Sequence, residues 1–134
     1  MSIVVVDASA LVALLLDNGS VGEWVADQLR GHVIAAPHLV CFETANIVRR
    51  HLAAKFVTLD VARTANRFLR DLPIELWPYE PLAERAWELR PNLTMYDATY
   101  VALAELLCAP VITLDNRIAA VKRVRCTVLT PPGL

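Results

Sequence analysis

Residues 3–7 read Ile3-Val4-Val5-Val6-Asp7, a β-branched run closed by an acid. A run this short and uniformly apolar suits a strand buried on both faces, since a half-exposed strand would alternate. The pattern returns at Val111-Ile112-Thr113-Leu114-Asp115. His32–Ala36, Ile74–Trp77 and Cys126–Leu129 are three more short strand candidates. Helical segments separate them. Leu11–Leu16 has Asp7 or Ser9 as its cap, and Val21–Arg30 places Val21, Trp24, Val25 and Leu29 on one face before Gly31 stops it. His38–Lys55 and Thr58–Asp71 read as a helical hairpin, followed by Pro81–Arg90, Thr94–Leu107 and a short Asn116–Val121. Pro131-Pro132-Gly133 reads as a loose tail. Strands alternating with helices predict a three-layer α/β/α fold around a central parallel sheet of four to five strands. Residues 1–134 read as one domain, long enough to bury roughly two-thirds of the unfolded surface without a staple.

The chain is 56% apolar and carries a formal charge of −1, so composition alone does not announce a nucleic-acid binder. The apolar excess fits a doubly covered sheet or a surface kept for a partner, with Trp24, Leu29, Phe56, Phe68 and Leu69 as contributors. Eleven of the thirteen basic residues are Arg, whose fork matches phosphate oxygens. Cys41, Cys108 and Cys126 form no CxxC pair and read as small buried hydrophobes in a reducing compartment. The apolar stretch Ala10–Leu16 is too short to span a bilayer, and no Lys or Arg precedes Arg30. The expected location is the cytoplasm, with no membrane contact.

Four acids stand where an ordinary fold would not choose acid. Asp7 and Asp115 end apolar strands, Glu43 lies on the apolar face of a helix beside Leu39, Val40 and Ile47, and Asp97 opens the Thr94–Leu107 helix. In open parallel sheets, ligands sit beyond the carboxyl ends of the strands, where the strand order reverses. Helix starts face that same edge, so topology alone places all four acids at one end of the molecule. Each also has a plainer reading. Asp7, Asp97 and Asp115 fit as helix caps, and Glu43 as a partner of Arg50 or Asn46.

The segments Val5-Val6-Asp7-Ala8-Ser9-Ala10-Leu11, Phe42-Glu43-Thr44-Ala45-Asn46, Tyr96-Asp97-Ala98-Thr99-Tyr100-Val101-Ala102-Leu103-Ala104 and Ile112-Thr113-Leu114-Asp115 resemble the motifs of the PIN domain. The likeness is closest to the VapC toxins of bacterial and archaeal toxin–antitoxin pairs and runs in order along essentially the whole chain. The resemblance implies a metal-dependent endoribonuclease whose acidic quartet is Asp7, Glu43, Asp97 and Asp115. All-oxygen ligation suits Mg²⁺, or Mn²⁺, rather than zinc. Water would attack a phosphodiester in line, giving a 5′-phosphate and a 3′-hydroxyl. Ser9, Asn46, Thr113 and Asn116 are candidates for supporting the acids, and Arg117 for contacting substrate phosphate. Lys122, Arg123 and Arg125 read either as phosphate contacts or as solvated surface. The resemblance further implies an RNA substrate, a VapB-like cognate antitoxin and a homodimer. Two other readings compete within this fold: a PIN nuclease outside a toxin pair, and a binding module without cleavage. A phospho-accepting receiver domain fits poorly, because Asp7 is followed by Ala8 rather than a second acid.

Overall fold

A computed structural model describes residues 2–133. The elements run β1 (Ile3–Val6), α1 (Ala8–Leu16), α2 (Ser20–Leu29), β2 (Val33–Pro37), α3 (Leu39–Ala53), α4 (Leu59–Asp71), β3 (Ile74–Trp77), α5 (Glu80–Glu88), α6 (Met95–Leu107), β4 (Val111–Ile112), α7 (Asn116–Ala119) and β5 (Val128–Leu129). The strands form one parallel sheet in the order β3-β2-β1-β4-β5. From β1 the chain winds outward through β2 and β3, then returns to place β4 and β5 on the other side. The switch point therefore lies between β1 and β4, where Val6 pairs with Ile112. The expected three-layer fold is present. α1 packs on α2, α3 and α4, while α5 packs on α6, which covers β1, β2 and β4.

The centre of the sheet is fully apolar. Val5, Val6, Val111 and Ile112 are completely buried, and each such side chain is worth about 1.5–3 kcal/mol over an exposed one. Leu11, Val25 and Val40 fill the core on one face, and Tyr100, Val101 and Leu103 on the other. Gly22 permits the tight α1–α2 turn, since a Cβ there would lie 1.9 Å from the Asp17 carbonyl oxygen.

Several boundaries differ from expectation for local reasons. α1 starts three residues early, at Ala8, because the Asp7 side chain itself caps the helix by accepting from the Ala10 N–H at 3.0 Å. β4 stops at Ile112 and β5 holds only Val128–Leu129, although the Thr113 N–H still donates to the Leu129 carbonyl at 3.1 Å. α7 is a single turn. Pro131, expected in a loose tail, is buried. Nor are the cysteines core residues. Cys108 is exposed, because it ends α6 in the left-handed conformation at φ 52°, and Cys41 and Cys126 are only partly buried. Of the apolar residues expected at a partner face, Leu29 and Leu69 belong to the core and Trp24 packs against it. Phe56 and Phe68 are exposed, and Phe42 joins them at 74% exposure.

Candidate functional site

The four acids converge on the carboxyl edge of the sheet, around the β1/β4 switch point. Asp7 follows β1 directly and is only 6% exposed. Its carboxylate receives three donors. Ser9 Oγ donates to Oδ1 at 2.7 Å, the Ala10 N–H donates to the same oxygen, and Thr113 Oγ1 donates to Oδ2. The direction of these bonds is set by the backbone. Ser9 Oγ accepts from the Leu114 N–H and Thr113 Oγ1 from the Asp115 N–H, both at 3.0 Å, which turns each hydroxyl proton toward Asp7. Asp7 is thus a cap and more: one oxygen caps α1 while the same carboxylate is pinned to the β4 side.

Asp115 lies three residues beyond the end of β4 and caps α7, accepting from the Arg117 N–H at 2.9 Å. Its two oxygens also receive the Arg117 fork at 2.9 and 2.8 Å. Asp97 sits in the first turn of α6, where Thr94 Oγ1 caps the Asp97 N–H at 3.1 Å. Glu43, in the second turn of α3, is half-buried and accepts from Tyr100 Oη at 2.6 Å. Neither Arg50 nor Asn46 serves it. Asn46 instead accepts from Arg49 Nε at 2.9 Å on the exposed side of α3, which separates it from the acids. Asn116 opens α7 next to Asp115. The sequence reading missed Tyr100 as a member of this group. Its one available signal was position, since residue 100 lies one turn beyond Asp97 on the same helix face.

The electrostatics record how closely the acids crowd. Burial raises the Asp7 carboxyl above its ordinary value against the pull of Ser9, Thr113 and Ala10, and the Asp97 charge raises it further. Burial also raises Glu43, with Tyr100 opposing and Asp97 and Asp7 adding to the rise. Asp97 is raised by burial and by Asp115. Only Asp115 is lowered, chiefly by the Arg117 side chain. Three acids strained toward protonation at one edge form a site that a cation would relieve. Among the described residues no three His, Cys, Asp or Glu side chains enclose an ion. The donors are all oxygen, so the residues fit a hard divalent cation.

A PIN domain model matches residues 4–124, and the chain belongs to this family. The VapC ribonuclease Mb0985 of Mycobacterium bovis is 39% identical over 129 residues, covering 96% of this chain and 98% of its own length. Ribonuclease VapC1 of Mycobacterium tuberculosis is 37% identical, covering 92% and 94%. Among solved structures, a toxin–antitoxin complex from Klebsiella pneumoniae superposes with a TM-score of 0.69 at 18% identity, covering 98% of this chain and 99% of that one. PAE2754 from Pyrobaculum aerophilum gives 0.66 at 27% identity, covering 96% and 83%. Among the described residues no helix is long and apolar enough to cross a membrane.

Proposed function

We propose that this chain is an endoribonuclease toxin of the VapC type, cleaving RNA phosphodiester bonds with the help of Mg²⁺ or Mn²⁺ and held in check by a cognate antitoxin. The observation that carries the reading is the buried Asp7 carboxylate, fixed by three donors at the switch point and crowded by Asp97 on the edge it shares with Glu43 and Asp115. Whole-length identity to chains named as VapC ribonucleases supports it.

Asp7, Asp97 and Asp115 would hold the cation directly or through water, and Glu43 would hold it or orient the attacking water. When bound, the cation supplies an acidified water and positive charge beside the phosphate. The rest is the work of this chain's own groups. Ser9 and Thr113 stop Asp7 from rotating, and Tyr100 holds one Glu43 oxygen so that the other stays available. Arg117, 88% exposed at the mouth of the site, can swing from Asp115 to a substrate phosphate at little cost, because a solvated ion pair is weak. A VapB-like antitoxin would use the exposed Phe42, Phe56 and Phe68, and a homodimer is part of the same reading. Cytoplasmic action on RNA follows from it.

The test is cleavage of total RNA by purified protein, with 5′ ends mapped by sequencing. Mg²⁺-dependent cleavage, lost with chelator and in Asp7→Asn, Asp97→Asn and Asp115→Asn, is the expected result. Unchanged cleavage in those three variants would sink the assignment. Growth arrest on expression, relieved by co-expressing the neighbouring gene, tests the toxin–antitoxin part separately.

A further inference from the structure

Beyond Asp115 the sequence carries Arg117, Lys122, Arg123 and Arg125 and no Asp or Glu, in a chain whose net charge is −1. Lys122, Arg123 and Arg125 meet Arg85 and Arg90 around one concavity of about 520 Å³, within the range of sites that take ligands. Glu88 is the one carboxylate in its wall, and it is already paired with Arg85 at 3.0 Å.

The concavity is braced from behind. Glu105 on α6 accepts the Arg85 fork at 2.7 and 3.3 Å and also the Arg125 N–H at 2.9 Å. Arg85 Nη2 in turn donates to the Arg123 carbonyl at 2.7 Å. The backbone of residues 123–125 is thus tied down at two points, while Arg123 and Arg125 remain exposed. Arg90 is held by stacking over Trp87 at 4.4 Å and by donating to the Trp87 carbonyl at 2.8 Å. Among the described residues no carboxylate lies within ion-pair distance of Arg90, Lys122, Arg123 or Arg125. Four cations without ion-pair partners around one concavity, in a chain of net charge −1, suit an external anion of repeating charge.

The same two chain segments lead to the acids. A smaller cleft of about 160 Å³ is walled by Asn92, Leu93 and Thr94 on one side, Arg117 and Ile118 on the other, with Asp97 and Asp115 in it. Arg90 is two residues from Asn92, at most about 7 Å, and Lys122 four residues from Ile118, at most about 14 Å. The basic concavity and the acidic cleft are therefore walled by neighbouring parts of the same two chain segments.

We propose that the concavity and the cleft together form the track of the RNA strand, with Arg90, Lys122, Arg123 and Arg125 holding backbone phosphates on one side of the scissile bond. The inference rests on the ribonuclease reading for its choice of RNA over an acidic polypeptide. Phosphate contacts of this kind set register and affinity without reading sequence.

The experiment measures binding of a fluorescent single-stranded RNA by full-length protein carrying Asp7→Asn, with and without K122A/R123A/R125A, across a series of salt concentrations. A charge-matched control, R63A/R67A/R70A on α4, separates this track from the general field. Removing three phosphate contacts should weaken binding more than tenfold at low salt and flatten the log–log salt slope by about 2. The control should leave the slope within error of the parent, and R123K/R125K should restore most of the affinity. An unchanged slope and affinity in the triple variant, with an unaltered melting temperature, overturns the inference. So does an equal loss in the α4 control, or poly-glutamate binding more tightly than RNA. If wild-type protein cleaves no RNA but the slope still falls, the track stands and the ribonuclease reading fails. If wild type cleaves and the slope does not fall, only the track is lost.

Discussion

Tyr100 Oη donates to Glu43 Oε1 at 2.6 Å, joining α6 on one face of the sheet to α3 on the other at the edge where the acids meet. Tyr100 is 1% exposed, so its ring is fixed by the core while its hydroxyl reaches the site. The phenol is pushed far above its ordinary value by burial and by the neighbouring carboxylate. It stays a donor throughout the working range. Glu43 thus has one oxygen committed and one free, an orientation that its own helix does not impose.

Tyr100→Phe should keep the fold, since only a hydroxyl is lost, and reduce RNA cleavage by about 10- to 100-fold. The hydrogen bond lowers the Glu43 carboxyl against burial, Asp97 and Asp7. Without it Glu43 holds its proton to higher pH, so the acidic limb of the pH–rate profile should move upward. A profile that coincides with wild type after scaling would assign Tyr100 to packing alone.

Asp7, Glu43 and Asp97 are all raised in the folded, metal-free protein. The native state therefore binds their protons more tightly than the unfolded chain does. Their cost to stability is absent below the unfolded carboxylate range and grows as pH rises through it to the folded values. Asp115 is lowered and works in the opposite sense, adding stability above the unfolded range that is lost in acid. With three acids against one, metal-free protein should melt higher at mildly acidic than at neutral pH. Mg²⁺ should reverse this at neutral pH, adding about 2.7 kcal/mol at a hundred times its Kd. Asp7→Asn should shrink the Mg²⁺ increment. Melting curves across pH with and without Mg²⁺ decide the matter, and a metal increment untouched by Asp7→Asn would contradict the assignment.

The parts of this arrangement that the sequence made legible are those written in contiguous residues. Ile3–Val6 followed by Asp7, and Val111–Ile112 close before Asp115, are strands too apolar to be anything but central, each leading to an acid. Ser9 and Thr113 were visible as neighbours of those acids, and their contact with Asp7 follows from β1 lying beside β4. The Glu43–Tyr100 bond spans 57 residues and two helix layers, so no local pattern encodes it. The bracing of residues 123–125 by Arg85 and Glu105 is equally non-local, and it separates a charged loop from a preorganised one. Cys108 misled because its neighbours are apolar, yet the chain turns there to leave α6.

Arg117 occupies both oxygens of Asp115 from an exposed position. It competes with a cation for that carboxylate and favours an anion brought near it. Arg117→Ala should lower the melting temperature only slightly, because the pair is solvated, while tightening Mg²⁺ binding and raising KM for RNA. Titration calorimetry with Mg²⁺ alone, together with steady-state cleavage, separates the two effects. Weaker Mg²⁺ binding in the variant would show that Arg117 supports the site rather than guarding it.

Thr113 is fully buried and its hydroxyl does two jobs at once, accepting from the Asp115 N–H and donating to Asp7. Thr113→Val keeps the branched shape that the end of β4 requires but removes both bonds. It leaves a part-buried N–H without its acceptor and takes a donor from a buried carboxylate, at a cost of about 1–3 kcal/mol. Denaturant unfolding should show that loss in wild-type background. In Asp7→Asn background the loss should be smaller, because the donor to the carboxylate no longer faces a charge. Thr113→Ser, which keeps the hydroxyl, should recover most of the stability and of the Mg²⁺ affinity. If valine and serine behave alike, shape rather than the hydroxyl sets residue 113, and the pinning of Asp7 belongs to Ser9 and the Ala10 N–H alone.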